Sequence, residues 1–264
     1  MQIPSEQFRK VDTAIARAFV YRFLAQAYEY PTAEAWQWLS TPEIEAALLS
    51  SAKAIVTDDC SLQRRAGEWV AQLTPDKLDE FTSDYIGAFG HAARGSCPLN
   101  EIEYGDLKAD PLFQPHRLAD LAAFYRAFGL EVTDDAPERQ DHICLELEFM
   151  SVLAAKEAYA LENQSEPGQS ELCREAQKAF LREHLGRWTP GFTRRLARAA
   201  GDGPLGALAQ FTLDFVIGDC QRFGVTPGSE DLLLRPVDES SESLCAACGL
   251  NHLPPGALAA TPQL

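Results

Sequence analysis

The chain has 264 residues, enough to bury a full hydrophobic core in one large domain or two small ones. It carries 23 Lys and Arg against 39 Asp and Glu, so its formal charge is −16. Such an acidic surface repels phosphate backbones and anionic lipid, which argues against nucleic acid as a partner and favours a basic peptide or protein surface. Apolar residues make up 46% of the chain, which excludes a fully disordered protein.

The sequence also bears on the compartment. No window approaches about 18 uninterrupted apolar residues, so we predict no membrane span. Asp12, Arg17 and Arg22 interrupt the stretch that could otherwise serve as a secretory signal. Seven cysteines are scattered without a disulfide framework, and we therefore expect reduced thiols and a cytoplasmic protein.

Apolar residues recur at steps of three and four along most of the chain, and no strand alternation is convincing, so the predicted fold is all-α. Thr41-Pro42 and Thr74-Pro75 are typical helix starts. A loop is expected over 90–114, and the polar stretch 162–170 is a predicted linker or exposed loop. In chain order, helices are predicted over 8–30, from 42, over 78–89, 116–130, from the 133–137 start signature to 161, and over 171–185, 190–200 and 205–223.

The composition changes after Gly224. Residues 225–264 are rich in Pro, Gly, Ser and acidic side chains. We therefore predict a single globular helical bundle over 1–224, followed by an extended or partly disordered tail over 225–264.

The segment 138–150 contains the most suggestive polar residues. His142 follows Glu138 by four residues and precedes Glu146 by four, so both carboxylates are predicted to share its helix face. Asp141 lies near the predicted helix start, where a negative side chain is favoured. One interpretation is a capped, core-packed helix with solvated ion pairs. Another is that Asp141 and His142 form a partly exposed polar anchor for a ligand.

Enzymatic chemistry has little support in the sequence. Phosphate-binding glycine loops, the H-E-x-x-H zinc motif and the G-x-S-x-G nucleophile motif are all missing. Asp141 and His142 could form the acid–base pair of a helical enzyme, but no nucleophile lies beside them in the sequence. No catalytic residue and no cofactor are predicted.

Two cysteine motifs offer further hypotheses. Cys97-Pro98 is typical of a rigid turn with a small buried thiol. Cys245, Cys248 and His252 could supply three of the four ligands that structural zinc requires. An incidental cysteine pair in a mobile tail explains the same residues. The alternative function to weigh is therefore a small metal-binding or redox protein.

Several stretches resemble one known family. Glu138-x-x-Asp141-His142-Ile143-x-x-x-Leu147-Glu148-Phe149-Met150 closely resembles the E-x-P-D-H-(I/L)-x-x-x-L-E-F-M signature of the TorD/DmsD/NarJ family of molybdenum-enzyme chaperones. Cys97-Pro98 with Glu101 and Tyr104 resembles its C-P-x-Y-E-x-x-Y loop. The helices 78–89 and 118–130 also resemble family helices. Gln140 replaces the usual Pro, and Asn100 replaces the usual Tyr.

The resemblance covers about residues 15–223, and it implies a cytoplasmic, non-enzymatic chaperone. Such a protein would bind the twin-arginine signal peptide and the apo catalytic subunit of a molybdenum enzyme until the molybdopterin cofactor is inserted. The negative charge of the chain agrees with a basic ligand. The residues predicted to bind the client are Tyr85, Phe89, Cys97, Pro98, Glu101, Tyr104, Glu138, Asp141, His142 and Glu148.

Overall fold

The computed structural model describes residues 5–55, 61–90, 95–105, 113–133, 138–163 and 168–235. Within these ranges the chain forms ten α-helices, two 3-10 helices and two isolated β-bridges, which confirms the all-α prediction. The 3-10 helices span Pro75–Lys77 and Glu101–Glu103. The α-helices are α1 Ser5–Ala27, α2 Ala33–Leu39, α3 Pro42–Ala54, α4 Ser61–Val70, α5 Leu78–Phe89, α6 Phe113–Ala127, α7 Ile143–Glu162, α8 Gln169–Glu183, α9 Leu185–Ala200 and α10 Pro204–Arg222.

The predicted start of α7 is wrong. A helix start over 133–137 was expected, but the first helical residue is Ile143, and His142 is its N-cap in an extended conformation. The two short helices α2 and α4 were not predicted at all. The shorter of them, α2, has only seven residues, too few to show a clear helical period.

Helix α9 begins before Pro190 rather than at it. A proline inside a helix leaves the carbonyl four residues earlier without its usual N–H partner. In this chain that carbonyl belongs to Gly186, and the backbone N–H of Gly228 donates to it at 2.9 Å. The extended segment after α10 therefore supplies the hydrogen bond that Pro190 cannot make.

Helices α1 and α7 pack along one another at the centre of the bundle, with α8 beside α7 and α10 against α9 and α4. A buried polar cluster joins four of these helices. Arg17 of α1 donates to both carboxylate oxygens of Asp219 at 2.6 and 2.7 Å, to Gln177 at 2.6 Å and to Glu157 at 3.2 Å. Burial alone would lower the pKa of Arg17, but Asp219 raises it above its ordinary value, so the buried guanidinium stays charged.

Aromatic rings fill the core between α5, α9 and the loop that contains Cys97. The Phe89 ring lies 4.5 Å from Tyr85 and 6.3 Å from Phe192, measured between centroids. The Tyr104 ring lies 5.2 Å from the Trp188 ring, with the two planes tilted by 36°. These contacts place the loop directly over the core.

The segment that follows α10 is free of helix but packs against the helical body. Val225 is buried, and Gly105 N–H donates to the Leu233 carbonyl at 3.0 Å. The compact unit accordingly continues to Leu234, beyond the predicted helical domain over 1–224. Cys245, Cys248 and His252 lie outside the described residues.

Candidate functional site

The loop 95–105 and the segment 138–142 pair through their backbones. The N–H of Glu101 donates to the Asp141 carbonyl, and the N–H of Ile143 donates to the Leu99 carbonyl, both at 2.9 Å. These bonds flank an isolated antiparallel bridge between Asn100 and His142. Gln140 and Asp141 form a turn, closed by the His142 N–H that donates to the Arg139 carbonyl at 2.8 Å, and His142 itself is extended, so α7 begins only at Ile143.

Asp141 fastens the loop through its side chain. One carboxylate oxygen accepts the backbone N–H of Ile102 at 3.2 Å, and the other accepts from Asn100 Nδ2 at 3.2 Å and from Arg139 Nε at 2.5 Å. The side chain of Asp141 is 0% exposed. The expectation that Asp141 is partly exposed is therefore wrong. Its carboxylate oxygens lie inside the protein, where they accept hydrogen bonds from the loop and from Arg139.

His142 is also buried, with 4% of its surface exposed, so the same expectation is wrong for it. Its Nδ1 accepts the N–H of Cys144 at 3.3 Å and so caps α7, while Nε2 lies 3.5 Å from Glu138 Oε2. Burial lowers the pKa of His142, although Glu138 and Asp141 oppose this effect. A neutral imidazole is what the cap requires, because a protonated Nδ1 has no lone pair to accept with.

Glu146 does not share a helix face with His142, contrary to the prediction. It points into the core, is fully buried, and accepts from Trp188 Nε1 at 3.1 and 3.2 Å. Burial, together with the nearby Glu101, raises the pKa of Glu146 well above its ordinary value. Burial in the core therefore favours the neutral form of this carboxyl group.

Glu101 is the opposite case, a buried carboxylate that stays charged. His184 Nδ1 lies 2.9 Å from one oxygen, and the guanidinium groups of Arg117 and Arg187 donate to the other at 2.6 and 3.0 Å. Burial would raise the pKa of Glu101, but His184 and the two arginines lower it below its ordinary value. This cluster ties the loop to α6 and α9.

Further contacts hold the two ends of the loop. The N–H of Cys97 donates to the Ala88 carbonyl at 2.9 Å, and the Tyr104 hydroxyl donates to the Pro98 carbonyl at 2.8 Å. A Cβ at Gly95 would lie 2.3 Å from the backbone of Phe89, so only glycine permits this close approach. The whole loop is therefore preorganised by the protein itself.

The two departures from the family pattern make contacts of their own. Gln140, in place of the usual Pro, donates from Nε2 to the Leu118 carbonyl at 2.6 Å, and its own carbonyl accepts from the Tyr125 hydroxyl at 2.8 Å. Asn100, in place of the usual Tyr, reaches Asp141 as described above. Polar contacts thus hold both positions in this chain.

A groove of about 330 Å³ opens above this framework. It brings together five of the ten predicted binding residues: Tyr85, Phe89, Pro98, Glu138 and His142. Four others, namely Cys97, Glu101, Tyr104 and Asp141, are buried, and they are absent from the groove lining. The sequence did not indicate the remaining lining residues, which are Tyr30, Gly90, Gly95, Leu99, Asn100, Glu103 and Arg139.

The groove combines an apolar wall with negative charge, and we name it the acidic groove. Two carboxylates, those of Glu103 and Glu138, line the groove. The one cation among the described lining residues is Arg139, which donates hydrogen bonds to Asp141. Glu29 precedes Tyr30, which lines the groove, and partial burial together with Glu148 raises the pKa of Glu29. The negative charge in the lining of the groove comes from Glu103 and Glu138.

Glu148, the tenth predicted binding residue, lies outside the acidic groove. It faces Arg22 at 3.2 Å and lines a second cavity with Tyr125, Leu130 and Val132. The structure thus separates Glu148 from the cluster around His142.

Comparison with known proteins connects this geometry to a family. The family model described as nitrate reductase delta subunit matches residues 56–194, more than half of the chain. The selenate reductase assembly chaperone of Thauera selenatis is 30% identical over 70% of this chain and 79% of its own length. The chain belongs to the TorD/DmsD/NarJ chaperone family.

Other relatives agree with this assignment. The chaperone protein TorD of Shewanella amazonensis is 27% identical over 83% of this chain and 97% of its own length. The perchlorate reductase assembly chaperone of Dechloromonas aromatica is 28% identical over 69% of this chain and 78% of its own length. The resemblance to the TorD/DmsD/NarJ family is therefore confirmed. Apart from Tyr30, every residue that lines the acidic groove lies within the range that the family model matches.

The described part of this TorD-like chain contains no site suited to metal binding or to thiol chemistry. Its His, Cys, Asp and Glu side chains nowhere form a group of three that could hold a metal ion. The described cysteines are buried, and burial raises the pKa of each thiol, which disfavours the reactive thiolate. None of the described helices is long and apolar enough to span a membrane.

Proposed function

We propose that this protein is an assembly chaperone that binds the twin-arginine signal peptide and the apo catalytic subunit of a molybdenum enzyme. It would act in the cytoplasm, before export, and hold the subunit until the molybdopterin cofactor is inserted. Relatives named as selenate and perchlorate reductase assembly chaperones support the general role. The protein would bind its client without catalysing a chemical step.

The acidic groove is the observation that carries the proposal. A twin-arginine signal begins with a basic head and continues with an apolar stretch. Glu103 and Glu138 are placed to attract the guanidinium groups, and Tyr30, 51% exposed, offers a ring face for a cation. The apolar wall formed by Phe89, Pro98 and Leu99 suits the aliphatic parts of the same peptide.

The environment of Asp141 and His142 favours binding over acid–base catalysis. The Asp141 carboxylate accepts hydrogen bonds from the loop, and His142 Nδ1 caps α7. Both groups act as structural acceptors, so neither is placed to exchange protons with a substrate as a general base would. In the proposal they position the rim of the groove, while Glu138, half exposed, meets the ligand.

Peptide binding tests the proposal directly. The probe is a synthetic peptide with two consecutive arginines followed by about 15 apolar residues, and the control peptide has glutamines in place of the arginines. We expect calorimetry to show that the arginine peptide binds more tightly than the control peptide, and we expect salt to weaken its binding because exposed charges are screened. Equal binding of both peptides would contradict the proposal.

A matched pair of variants locates the site. Glu138→Gln removes one carboxylate from the groove, and we expect it to weaken arginine-peptide binding about threefold to tenfold, the range for a partly exposed charge pair. Glu43→Gln removes an exposed carboxylate from α3 and should leave binding unchanged. The maturation step is tested on the catalytic subunit identified by copurification with this protein. We expect that subunit to contain less molybdenum when it is produced in cells that lack this protein than in cells that have it.

A further inference from the structure

Another cavity lies between α9, the loop 95–105 and the segment that follows α10, and its volume is about 410 Å³. From α9 it is lined by Gly191, Arg195 and Ala199, which follow at steps of four and therefore share one helix face. Because Gly191 and Ala199 are small, they leave room around the arginine between them. We name this space the Arg195 cavity.

Arg195 differs from its neighbouring arginines on α9 in having no acidic partner. Arg194 lies 3.3 Å from the Glu230 carboxylate, and this pair is exposed. Arg198 lies 3.7 Å from the Asp231 carboxylate. The Nε of Arg195 is buried, and no described residue accepts a hydrogen bond from it. A buried N–H without an acceptor raises the free energy of the folded state, and an anion that accepts from it would lower that free energy.

The loop contributes two further polar groups to the Arg195 cavity, the hydroxyl of Ser96 and the thiol of Cys97. Burial raises the pKa of the Cys97 thiol, while Ser96 and the charge of Arg195 oppose this increase. The positive charge of Arg195 is therefore felt at the loop side of the cavity. A guanidinium with a hydroxyl nearby is a set of donors suited to the oxygens of a carboxylate or a phosphate.

The walls of the cavity are held in place by contacts within the protein. A Cβ at Gly191 would lie 2.7 Å from Cβ of Leu232, so the segment after α10 lies close against α9. The Gly105 N–H, at the end of the loop, donates to the Leu233 carbonyl of the same segment at 3.0 Å. A ligand therefore meets a site that is already formed, which reduces the entropy lost on binding.

Size and charge together favour a carboxylate as the ligand. The volume far exceeds the roughly 10–15 Å³ that a single water molecule requires, so a side chain can enter. Since Glu230 and Asp231 already pair with other arginines, one carboxylate would neutralise the remaining charge of Arg195. A phosphate group of about −2 would leave a negative charge beside these two acidic residues, in a chain whose formal charge is −16.

The loop 95–105 borders both this cavity and the acidic groove. Gly95 and Pro98 line the groove, whereas Ser96 and Cys97, between them in the sequence, line the Arg195 cavity. Consecutive Cα atoms are about 3.8 Å apart, so these four residues span at most about 11 Å. A client whose basic segment occupies the acidic groove is therefore held beside the Arg195 cavity.

We propose that the Arg195 cavity binds the carboxylate of an aspartate or glutamate side chain of the apo catalytic subunit, outside its signal peptide. This inference rests on the proposed function and adds a contact of opposite charge to the one in the acidic groove. The groove takes a cationic part of the client, and the cavity takes an anionic part. Two contacts of opposite sign beside one loop fix the orientation in which the client is held.

Acetate is the probe for the cavity itself. The Arg195 Nε–H gives a signal in the proton–nitrogen correlation spectrum of the full chain, and Arg195→Lys, which keeps the charge but has no Nε–H, identifies that signal. Sodium chloride is replaced stepwise by sodium acetate or by sodium phosphate at constant ionic strength. We expect acetate to shift the signal saturably at millimolar concentration, because the buried N–H gains an acceptor, and we expect phosphate to bind more weakly.

The contact with the client is tested on the catalytic subunit identified by copurification, purified without its signal peptide. We expect Arg195→Gln to weaken binding of this subunit about tenfold, the effect of losing one hydrogen bond between charged groups. Its affinity for the arginine peptide should stay unchanged. The control Arg64→Gln removes an exposed positive charge from α4 and should alter neither affinity.

Thermal melting shows whether the substitutions disturb the fold. Should Arg195→Gln melt well below the wild type, the binding comparison is made with Arg195→Lys, which keeps the charge and the aliphatic part of the side chain. We expect this variant to weaken binding of the subunit as well, because an ammonium group cannot form the two parallel hydrogen bonds of a guanidinium.

The contrary results are distinguishable. An Arg195 signal that acetate does not shift would overturn the carboxylate site and leave the proposed function standing, because the arginine peptide tests that function separately. Tighter binding of phosphate than of acetate would assign the cavity to a phosphate-bearing ligand and make our choice wrong. If acetate binds but the Arg195 variants bind the subunit like the wild type, the cavity takes a free carboxylate and the client contact is wrong. If no catalytic subunit copurifies, the proposed function and the client contact fail together.

Discussion

Asp141 and Glu138 stand three residues apart in the same motif, yet they occupy opposite environments. The Asp141 side chain is fully buried and bound to the loop, whereas the Glu138 side chain is half exposed at the groove. Glu101 and Glu103 repeat the contrast in the facing loop, with Glu101 buried among His184 and the two arginines. Each segment therefore contributes one carboxylate to the framework and one to the groove.

The contrast shows how an acidic site can be built without being unstable. A buried carboxylate is tolerated only when hydrogen bonds and cations satisfy it, so it cannot also serve a ligand. An exposed carboxylate costs little to maintain and can pair with an incoming cation. If this division is correct, substituting a buried carboxylate should lower the stability of the fold, and substituting an exposed carboxylate should weaken ligand binding.

Glu101→Gln is expected to have the largest effect on stability. The variant leaves two guanidinium groups and His184 around an uncharged amide, and we expect a loss of about 3 kcal/mol in the free energy of unfolding, measured by urea denaturation at pH 7. A lowered folded-state pKa contributes stability above the ordinary glutamate value of about 4.3, and this stability is lost as the pH falls through the folded-state pKa. The difference between variant and wild type should therefore shrink in acid. A difference that grows in acid would contradict the charged state of Glu101.

Asp141→Ala is expected to rank second. It removes the acceptor of the Ile102 N–H and of the Asn100 and Arg139 side chains, so we expect a loss of about 2 kcal/mol, the cost of leaving a buried N–H unsatisfied. Thermal melting with peptide titration of the same sample measures both consequences. If Asp141→Ala melts like the wild type but binds no peptide, the residue contacts the ligand, and the division between buried and exposed carboxylates fails.

Glu146→Gln tests whether burial favours the neutral form of the Glu146 carboxyl group. Glutamine keeps an acceptor for Trp188 Nε1 and removes the titratable group, so we expect a gain of about 1 kcal/mol at pH 7. Because the folded-state pKa of Glu146 is raised, the wild type loses stability as the pH rises above the ordinary glutamate value of about 4.3. The gain should therefore disappear below about pH 4. A destabilised variant at pH 7 would show that Glu146 is charged and paired.

Glu138→Gln is expected to have the smallest effect on stability, within about 0.5 kcal/mol, because the side chain is half exposed. The same variant should weaken binding of the arginine peptide, as described for the acidic groove. Chemical denaturation and calorimetry on one preparation would check both. A large loss of stability would show that Glu138 belongs to the structural framework and not to the ligand-binding groove.

The sequence allowed the helical architecture to be predicted because helical periodicity is a local property. The steps of three and four in α1, α6 and α10 are visible without any knowledge of their partners. The acidic charge and the family motif likewise indicated a basic ligand and a chaperone. Helix α2 was missed because seven residues are too short for the period to be recognised.

Only the tertiary structure decided which residues of the motif face the groove. Asp141 accepts hydrogen bonds from Ile102 and Asn100, which lie about 40 positions earlier in the chain. Glu146 accepts one from Trp188, which lies about 40 positions later. Helical spacing predicted that His142 would lie between Glu138 and Glu146, but residues 140 and 141 form a turn, and pairing with Asn100 of the loop holds His142 in an extended conformation. Local spacing cannot reveal such partners, because burial of a polar side chain depends on what the rest of the chain packs against it.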